Sequence, residues 1–123
     1  MNQSMENTSQ NDDSGPHQWR ERGELVELLG HRLFVIDETP EQSADDKAPE
    51  LPTILLLHGF PTSSWDWQPI WNSLAKDYRL IAVDMLGFGF SDKPNKHKYS
   101  IHGQADLVEA LVRTKQLKQF HLL

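Results

Sequence analysis

Two short loops in this sequence carry residue types that could do chemistry, and each follows a continuously apolar segment. The first loop runs His58-Gly59-Phe60-Pro61-Thr62-Ser63-Ser64. Gly59 permits a sharp turn without a Cβ clash, and Pro61 has no N–H and stiffens the chain. The Phe60 N–H can then point into a pocket and stabilise the negative oxygen of a tetrahedral intermediate. The alternative interpretation is that the His-Gly pair only turns the chain from strand to helix.

The second loop is residues 84–94, with the sequence Asp-Met-Leu-Gly-Phe-Gly-Phe-Ser-Asp-Lys-Pro. Its Gly87 and Gly89 look like part of a dinucleotide-binding loop, but Asp92 stands where the third glycine belongs. This spacing argues against a nucleotide site of the Rossmann type. We interpret Asp84 as a structural residue that accepts backbone N–H bonds, because a lone carboxylate without partners at ligand spacing commonly does so in turns.

The remaining candidates for chemistry favour structural interpretations. The chain contains no cysteine, which excludes disulfides, thiolate metal sites and a cysteine nucleophile. His97 and His102 lie five residues apart, beside Lys96 and Lys98. A metal site needs more ligands and less positive charge, so we interpret these histidines as solvated and expect no metal. Trp67 is expected to pack in a helix and to border a pocket.

Apolar periodicity predicts an α/β fold that positions both loops. The predicted strands are residues 25–29, 32–36, 53–57 and 79–83. The first two are joined by Gly30-His31, a turn signal that predicts a hairpin. The last two are continuously apolar, as parallel strands covered on both faces are. The spacing of apolar residues from Trp67 to Ala75 predicts a helix between them, hence a βαβ unit.

A second helix and a further strand are predicted after the second loop. Ser100 is a good N-cap for a helix that runs to about Gln116. The apolar positions expected on its buried face are Ile101, Ala105, Leu107, Val108, Leu111 and Val112. Gln104 is expected to point outward. Residues 120–123 are predicted to open another buried strand.

The negative charge is concentrated in two polar segments. The net charge is −6, of which residues 1–18 carry −3 and residues 37–50 carry −5. Each segment has only two apolar side chains, too few to offset its ordering entropy. We therefore expect a disordered tail over 1–18, a mobile acidic linker over 37–52 and a partial domain over 19–123. The ordered part has no basic stripe and no long apolar segment, so we expect no nucleic acid, no membrane and a cytoplasmic location.

The two loops together resemble the α/β-hydrolase family, in the branch that contains epoxide hydrolases and haloalkane dehalogenases. Residues 58–64 with Trp67 are similar to the oxyanion loop of that branch, and residues 84–94 are similar to its next loop. Within the branch, the end of the second loop and residues 99–111 resemble the mesoderm-specific transcript type. The resemblance covers residues 25–123.

This resemblance implies the amino-terminal part of an α/β-hydrolase fold, with an antiparallel hairpin, parallel βαβ strands and an incomplete sheet. It implies that the Phe60 N–H is an oxyanion-hole donor. The residues implied to support that loop are His58, Gly59 and Pro61. The residues implied to be structural in the loop after the fourth strand are Asp84, Gly87, Gly89 and Ser91. No cofactor is implied.

In such hydrolases the nucleophile lies on a sharp elbow immediately after the fifth strand. No Gly-x-Ser-x-Gly motif occurs in this sequence, since Ser91 follows Gly89 but Lys93 stands at the second glycine position. The resemblance implies that the acid and the base also come later in the family's sequence. The chain is therefore expected to be an amino-terminal portion of a longer hydrolase and to be inactive alone.

The resemblance also bears on the substrate. Dehalogenases of this branch tend to place a halide-binding asparagine at the position of Phe60, so phenylalanine there favours a small-molecule epoxide or ester. The branch mostly forms a covalent ester with an aspartate, which activated water then hydrolyses; aspartate or serine remains open here. The alternative is a truncated, non-enzymatic module that acts by binding or chain pairing, because a short sheet leaves an open edge that can self-associate.

Overall fold

The computed structural model describes residues 15–40 and 51–123. Its helices are α1 (Pro16–Glu21), α2 (Gln68–Leu74) and α3 (Ile101–Thr114). Its strands are β1 (Glu24–Leu28), β2 (His31–Glu38), β3 (Thr53–Leu57), β4 (Arg79–Val83) and β5 (His121–Leu122). A 3-10 turn, Ser64–Trp67, leads into α2. None of the helices in these two ranges is long and apolar enough to cross a bilayer.

The strands form one mixed sheet in the order β1-β2-β4-β3-β5. The hairpin strands are antiparallel, and β2 pairs antiparallel with β4. The other pairs, β3 with β4 and β3 with β5, are parallel. The predicted α/β class, with a hairpin followed by parallel strands in an open sheet, is confirmed.

Alternate residues of the central strands enter two different cores, which explains why β3 and β4 are apolar without interruption. On one face, Leu55 and Ile81 pack with Leu107 and Leu111 of α3. On the other face, the neighbouring residues of both strands pack with a tryptophan cluster from α1 and α2. The members of that second core include Trp19, Phe34, Ile54, Leu56, Trp71, Leu80 and Ala82.

Helix α3 begins as predicted, since the Ser100 hydroxyl accepts the Gly103 N–H at 2.9 Å. The buried face differs from the prediction at three positions. Ile101 is 86% exposed and Ala105 is also exposed, whereas Gln104 points inward and contacts the backbone of Leu86. The reason is helical geometry: residue 104 lies one turn before Leu107, so it shares the face that Leu107 buries.

The structure contradicts the predicted disordered tail and mobile linker at residues 16–18 and 37–38, which it describes as helix and strand. Residues 1–14 and 41–50 lie outside the described residues, so most of both predictions is untested. However, α1 begins at Pro16, inside the predicted tail, because Trp19 is buried and donates its Nε1–H to the Ser64 hydroxyl at 3.0 Å. Strand β2 likewise continues through Glu38, inside the predicted linker.

Asp37 is part of the sheet because it joins two other elements. Its carboxylate accepts two hydrogen bonds from Arg79, at 3.0 and 2.8 Å, and pairs with Lys115 at 3.0 Å. Burial alone raises the pKa of Asp37, but the bonds from Arg79 and Lys115 outweigh burial and lower the pKa below its ordinary value. The bonds of Asp37 thus connect β2 to Arg79 of β4 and to Lys115 at the end of α3.

Glu38 makes the equivalent connection on the other face. Arg22 donates to both carboxylate oxygens, at 2.8 and 2.7 Å, and the Trp71 Nε1–H donates at 2.8 Å. Burial raises the pKa of Glu38, but these donors outweigh burial, so the pKa is lowered. Helices α1 and α2 are therefore held to the end of β2.

The last strand corrects one prediction. Strand β5 forms where residues 120–123 predict it, but Leu122 is 62% exposed and Leu123 is 55% exposed. It lies at the edge of the sheet, and no strand within the described ranges pairs with its outer side. A strand position alone does not bury a side chain, because burial also needs a covering layer.

We expect acid to weaken this fold through Asp37 and Glu38. Their ordinary pKa values are 3.8 and 4.5, and both are lowered in the folded protein. A lowered carboxyl pKa stabilises the fold above the unfolded-state value and loses that contribution as pH falls through the folded-state value. The free energy of unfolding, measured by urea denaturation, should therefore decline below about pH 4.5.

The matched variants test the cause of that decline. The double variant Asp37→Asn with Glu38→Gln should be less stable at pH 7 and should show a flatter decline in acid. The exposed Asp77→Asn control should keep the wild-type profile. An unchanged acid profile in the double variant would contradict the assignment.

Candidate active site

The two loops meet at the edge of the sheet where the parallel strands β3 and β4 end, as is usual for ligand sites in α/β folds. His58 follows β3 and is buried, with 7% of its surface exposed. Its Nδ1 lies 2.8 Å from the Gly59 carbonyl oxygen. Its Nε2 accepts the Met85 N–H, from the loop after β4, at 2.9 Å. His58 therefore joins the two loops through both ring nitrogens.

The hydrogen bonds of His58 determine its protonation form. A backbone N–H can only donate, so the Nε2 that faces Met85 must be unprotonated. In a neutral imidazole the proton then lies on Nδ1, which donates to the Gly59 carbonyl. With both nitrogens engaged in this way, His58 is not placed to remove a proton from a substrate.

The Phe60 N–H takes no part in the hydrogen bonds that join the two loops. The Gly59 carbonyl accepts the Thr62 N–H at 3.1 Å, which closes the turn around Phe60 and a cis Pro61. None of the hydrogen bonds found within residues 15–40 and 51–123 is donated by the Phe60 N–H. The Phe60 ring is 87% exposed and lies against Phe88, with 5.8 Å between ring centroids.

The structure does not support the predicted need for glycine at position 59. Its φ is not among the positive values of the chain, and a Cβ built there would meet nothing within 4 Å. The turn itself therefore does not require glycine. Gly59 is exposed and is one of the residues that line the cavity beside the two loops.

Asp84 accepts backbone N–H bonds from both loops. Its carboxylate is 1% exposed and accepts the Ser64 N–H and the Phe90 N–H, each at 2.8 Å. The Asp84 carbonyl accepts the Ser91 hydroxyl at 2.6 Å, and the Ser91 oxygen accepts the Phe34 N–H at 2.8 Å. Asp84 and Ser91 thus attach the second loop to the first loop and to β2.

Both glycines of the second loop are required by the backbone. Gly87 has a φ of 94°, and a Cβ there would lie 2.8 Å from the Tyr99 ring. Gly89 has a φ of 55°, and a Cβ there would collide with the Asp84 carboxylate. Positive φ and close approach are conditions that favour glycine. These contacts account for the glycine pair without a nucleotide.

The cavity beside the two loops has a volume of about 600 Å³. Its apolar lining comes mainly from Phe60, Met85, Phe88, Tyr99 and Ile101. The described residues that line it include no aspartate, glutamate, lysine or arginine. It is therefore suited to an uncharged, apolar ligand.

Trp67 does not line the cavity. It packs with the tryptophan cluster on the α2 face of the sheet. Its Nε1 is buried without a hydrogen-bond partner within the described residues. The border of the cavity is instead formed by residues of both loops and of the start of α3.

Gln104 is a site residue that the sequence reasoning missed. Its side-chain oxygen accepts the Leu86 N–H at 3.2 Å, and its Nε2–H donates to the Leu86 carbonyl at 2.9 Å. This pair of bonds attaches α3 to the loop after β4. The signal was available in principle, because Gln104 lies three residues before Leu107 on the apolar face.

The other histidines form no cluster with further metal ligands. His97 packs edge-on against His31 and Tyr99, with centroid distances of 5.2 and 4.9 Å. It is therefore partly buried rather than fully solvated, whereas His102 is exposed. Over the described ranges, no three histidine, aspartate or glutamate side chains come together in a way that could hold a metal ion.

The family model described as the alpha/beta hydrolase fold matches residues 52–123, more than half of the chain. The chain belongs to this family. It is 48% identical over 98 residues to the mesoderm-specific transcript homolog protein of Homo sapiens, covering 79% of this chain and 28% of that protein. This agrees with the branch and type that the two loops indicated.

Solved structures agree with the family. The haloalkane dehalogenase DbeA from Bradyrhizobium elkani matches with a TM-score of 0.68 at 30% identity, over 81% of this chain and 31% of that one. A membrane phospholipase A described as a bacterial virulence factor matches with a TM-score of 0.69 at 25% identity, over 81% of this chain and 30% of that one. The chain thus spans less than a third of these relatives.

We expect Asp84→Ala to destabilise the fold strongly. It leaves the Ser64 and Phe90 N–H groups without an acceptor, and each buried unsatisfied group costs about 1 to 3 kcal/mol. For the two groups together the expected loss is about 2 to 6 kcal/mol in the free energy of unfolding, measured by denaturant titration.

Asp92→Ala is the matched control for this prediction. Asp92 lies in the same loop and accepts the Arg32 N–H at 2.8 Å, but that bond is exposed. Water can replace the lost acceptor, so the expected cost is below about 1 kcal/mol. Equal losses in the two variants would contradict the role assigned to Asp84.

Proposed function

We propose that the protein to which this chain belongs hydrolyses an epoxide or ester bond through a covalent intermediate, with the Phe60 N–H as an oxyanion-hole donor. The observation that carries the proposal is the Phe60 amide, which donates to no other group within the described residues and lies in a loop that borders the cavity. His58 holds that loop through its contact with the Gly59 carbonyl, and the loop continues into a cis Pro61. Backbone donors that are fixed in advance stabilise developing negative charge without reorganisation.

The position of β5 supports this assignment. The Leu57 N–H donates to the Leu123 carbonyl at 2.9 Å, so the carboxyl end of β5 lies beside the residue that precedes His58. In the family, the nucleophile follows the fifth strand on a sharp turn. A nucleophile carried there would be next to the loop that holds the Phe60 N–H.

The reaction then has two covalent steps. With an epoxide, an aspartate attacks a ring carbon, the carbon–oxygen bond of the ring breaks, and the freed oxygen takes a proton from an acid group of the enzyme. With an ester, a serine gives its proton to a base and adds to the carbonyl, and the tetrahedral oxyanion collapses with loss of the alcohol, which takes that proton.

In either case an ester now links substrate and enzyme. Water, which gives a proton to the base, adds to the carbonyl of that ester; the tetrahedral oxyanion accepts the Phe60 N–H until the carbon–oxygen bond breaks and the departing hydroxyl group takes up a proton.

The substrate class follows from the lining of the cavity. Apolar side chains such as Met85, Phe88 and Ile101 favour an uncharged substrate with a hydrophobic body. Phe60 replaces the asparagine that binds halide in dehalogenases of this branch, which favours an epoxide or ester over a haloalkane. The phospholipase A among the similar structures is consistent with an ester.

The test removes the donor itself. Incorporating phenyllactic acid in place of Phe60 in the full-length protein converts the amide to an ester and deletes the N–H while keeping the ring. We expect kcat to fall on the order of 100-fold, because loss of one oxyanion donor costs about 3 kcal/mol in the transition state. Steady-state kinetics on a panel of aryl esters and aryl epoxides provide the measurement.

Phenyllactic acid at Phe120, outside both loops, controls for the chemical change and should leave kcat near that of the unmodified protein. With an epoxide and an aspartate nucleophile, loss of the donor slows only ester hydrolysis, so the covalent intermediate should accumulate in a burst. With an ester substrate, formation of the intermediate slows as well. Equal rates with and without the N–H at position 60 would refute its role.

A second candidate function rests on the exposed edge of the sheet. Strand β5 has no partner on its outer side among the described strands, and Leu122 and Leu123 are exposed. Such edges can pair with another chain. A non-enzymatic module that acts by binding or pairing would use this edge. For either function, a cytoplasmic location and the absence of membrane and nucleic acid partners remain predictions.

The purified 123-residue chain distinguishes the two candidates. Neither candidate predicts turnover of an epoxide or ester by this chain alone, but under the hydrolase proposal the chain should self-associate in sedimentation experiments. Leu122→Lys should reduce the association, because edge charges oppose strand pairing. Leu25→Lys, which changes another exposed leucine on the opposite edge strand β1, is the matched control. A monomeric chain with a cooperative melt would favour the binding module.

A further inference from the structure

The Phe60 N–H and the Gly59 carbonyl belong to the same peptide group. A peptide group is planar, and in its trans form the C=O and N–H bonds point in opposite directions. Whatever fixes the direction of the Gly59 carbonyl therefore also fixes the direction of the Phe60 N–H. In this structure, His58 Nδ1 lies 2.8 Å from that carbonyl oxygen, and the Thr62 N–H donates to it at 3.1 Å.

We infer that His58 is a positioning residue, which aims the Phe60 N–H at the reacting centre by donating its Nδ1–H to the Gly59 carbonyl, and which depends on Met85 to keep the proton on Nδ1. The inference rests on the proposed function of the Phe60 amide. His58 itself contacts no reacting atom in this arrangement. It acts through the peptide that it holds.

The acceptor side of the imidazole is held by the second loop. The Met85 N–H reaches His58 Nε2 at 2.9 Å. The next residue, Leu86, is fixed at both its N–H and its carbonyl by the Gln104 side chain. The direction of the Met85 N–H is therefore determined by β4 on one side and by α3 on the other.

Burial makes this arrangement specific. With 7% of its surface exposed, His58 has little water to replace a lost partner. The opposite tautomer would direct an Nε2–H at the Met85 N–H and a bare Nδ1 at the Gly59 carbonyl, so both contacts would become repulsive. Only the Nδ1–H tautomer satisfies both neighbours.

Donation to the Gly59 carbonyl also strengthens the N–H at the other end of the peptide. Hydrogen bonds in a chain polarise one another, so a carbonyl that accepts from both His58 and Thr62 belongs to a peptide with a better N–H donor. Orientation and polarisation act on the same donor. Both should matter more in the transition state, where negative charge is greatest, than in substrate binding.

The experiment replaces each ring nitrogen separately in the full-length protein. His58→Asn places an amide N–H near the position of Nδ1 and loses the acceptor at Nε2. His58→Gln places its amide near the position of Nε2 and loses the donor near Gly59. We expect His58→Gln to lower kcat on the order of 10- to 100-fold with little change in KM, as loss of a transition-state interaction does.

His58→Asn should keep kcat within about 5-fold of the wild type, because it retains the bond to the Gly59 carbonyl. His102→Gln, at an exposed histidine outside the cavity lining, is the control and should leave both constants unchanged. Equal losses of kcat in His58→Asn and His58→Gln would overturn the inference, since a purely structural histidine does not distinguish its two nitrogens in this way.

A second readout does not depend on activity. In the full-length protein with 15N-labelled histidine, NMR should show a protonated Nδ1 and an unprotonated Nε2 for His58. The Phe60 amide resonance should shift in His58→Gln and return towards the wild type in His58→Asn. A protonated Nε2, or an unmoved Phe60 resonance, refutes the positioning role. If the wild-type protein shows no turnover but gives both NMR results, the proposed function is refuted, whereas the positioning of the Phe60 amide by His58 remains supported.

Discussion

The buried carboxylate of Asp84 is the interaction on which the rest of the site depends. A buried carboxyl group needs hydrogen-bond partners, and the donors to Asp84 are the N–H groups of Ser64 in one loop and Phe90 in the other. The two loops therefore cannot move independently. Ser64 in turn accepts the Trp19 indole N–H, so the amino-terminal helix depends on the same group of bonds.

Several polar groups of the resulting site are paired inside the protein. His58 connects the loops through both nitrogens, and Gln104 pairs both polar groups of Leu86. The Phe60 N–H has no such bond within the described residues and lies in a loop that borders an apolar cavity. A donor left unpaired by a rigid, hydrogen-bonded surround is what oxyanion stabilisation requires.

The two loops indicate the family because some of their residues must meet two structural conditions at the same time. Gly89, for example, must adopt a positive φ and must also leave room for the Asp84 carboxylate. Few sequences meet both conditions at this spacing. Two predictions about these loops were wrong. Gly59 was expected to be required by the turn, but its backbone conformation does not need glycine. Trp67 was expected to border the cavity, but it packs in the core on the other face of the sheet.

The sequence by itself determined the hairpin, the strands β3 and β4, the capped helix α3 and the loop that carries Phe60, because apolar periodicity, turn residues and caps are local properties of a chain. The tertiary structure alone decided that Asp37 and Glu38 end a strand, that Gln104 points inward, and that His58 carries its proton on Nδ1. Each of these depends on a partner from a distant element, such as Arg79, Leu86 or Met85, and local patterns contain no information about which distant groups meet.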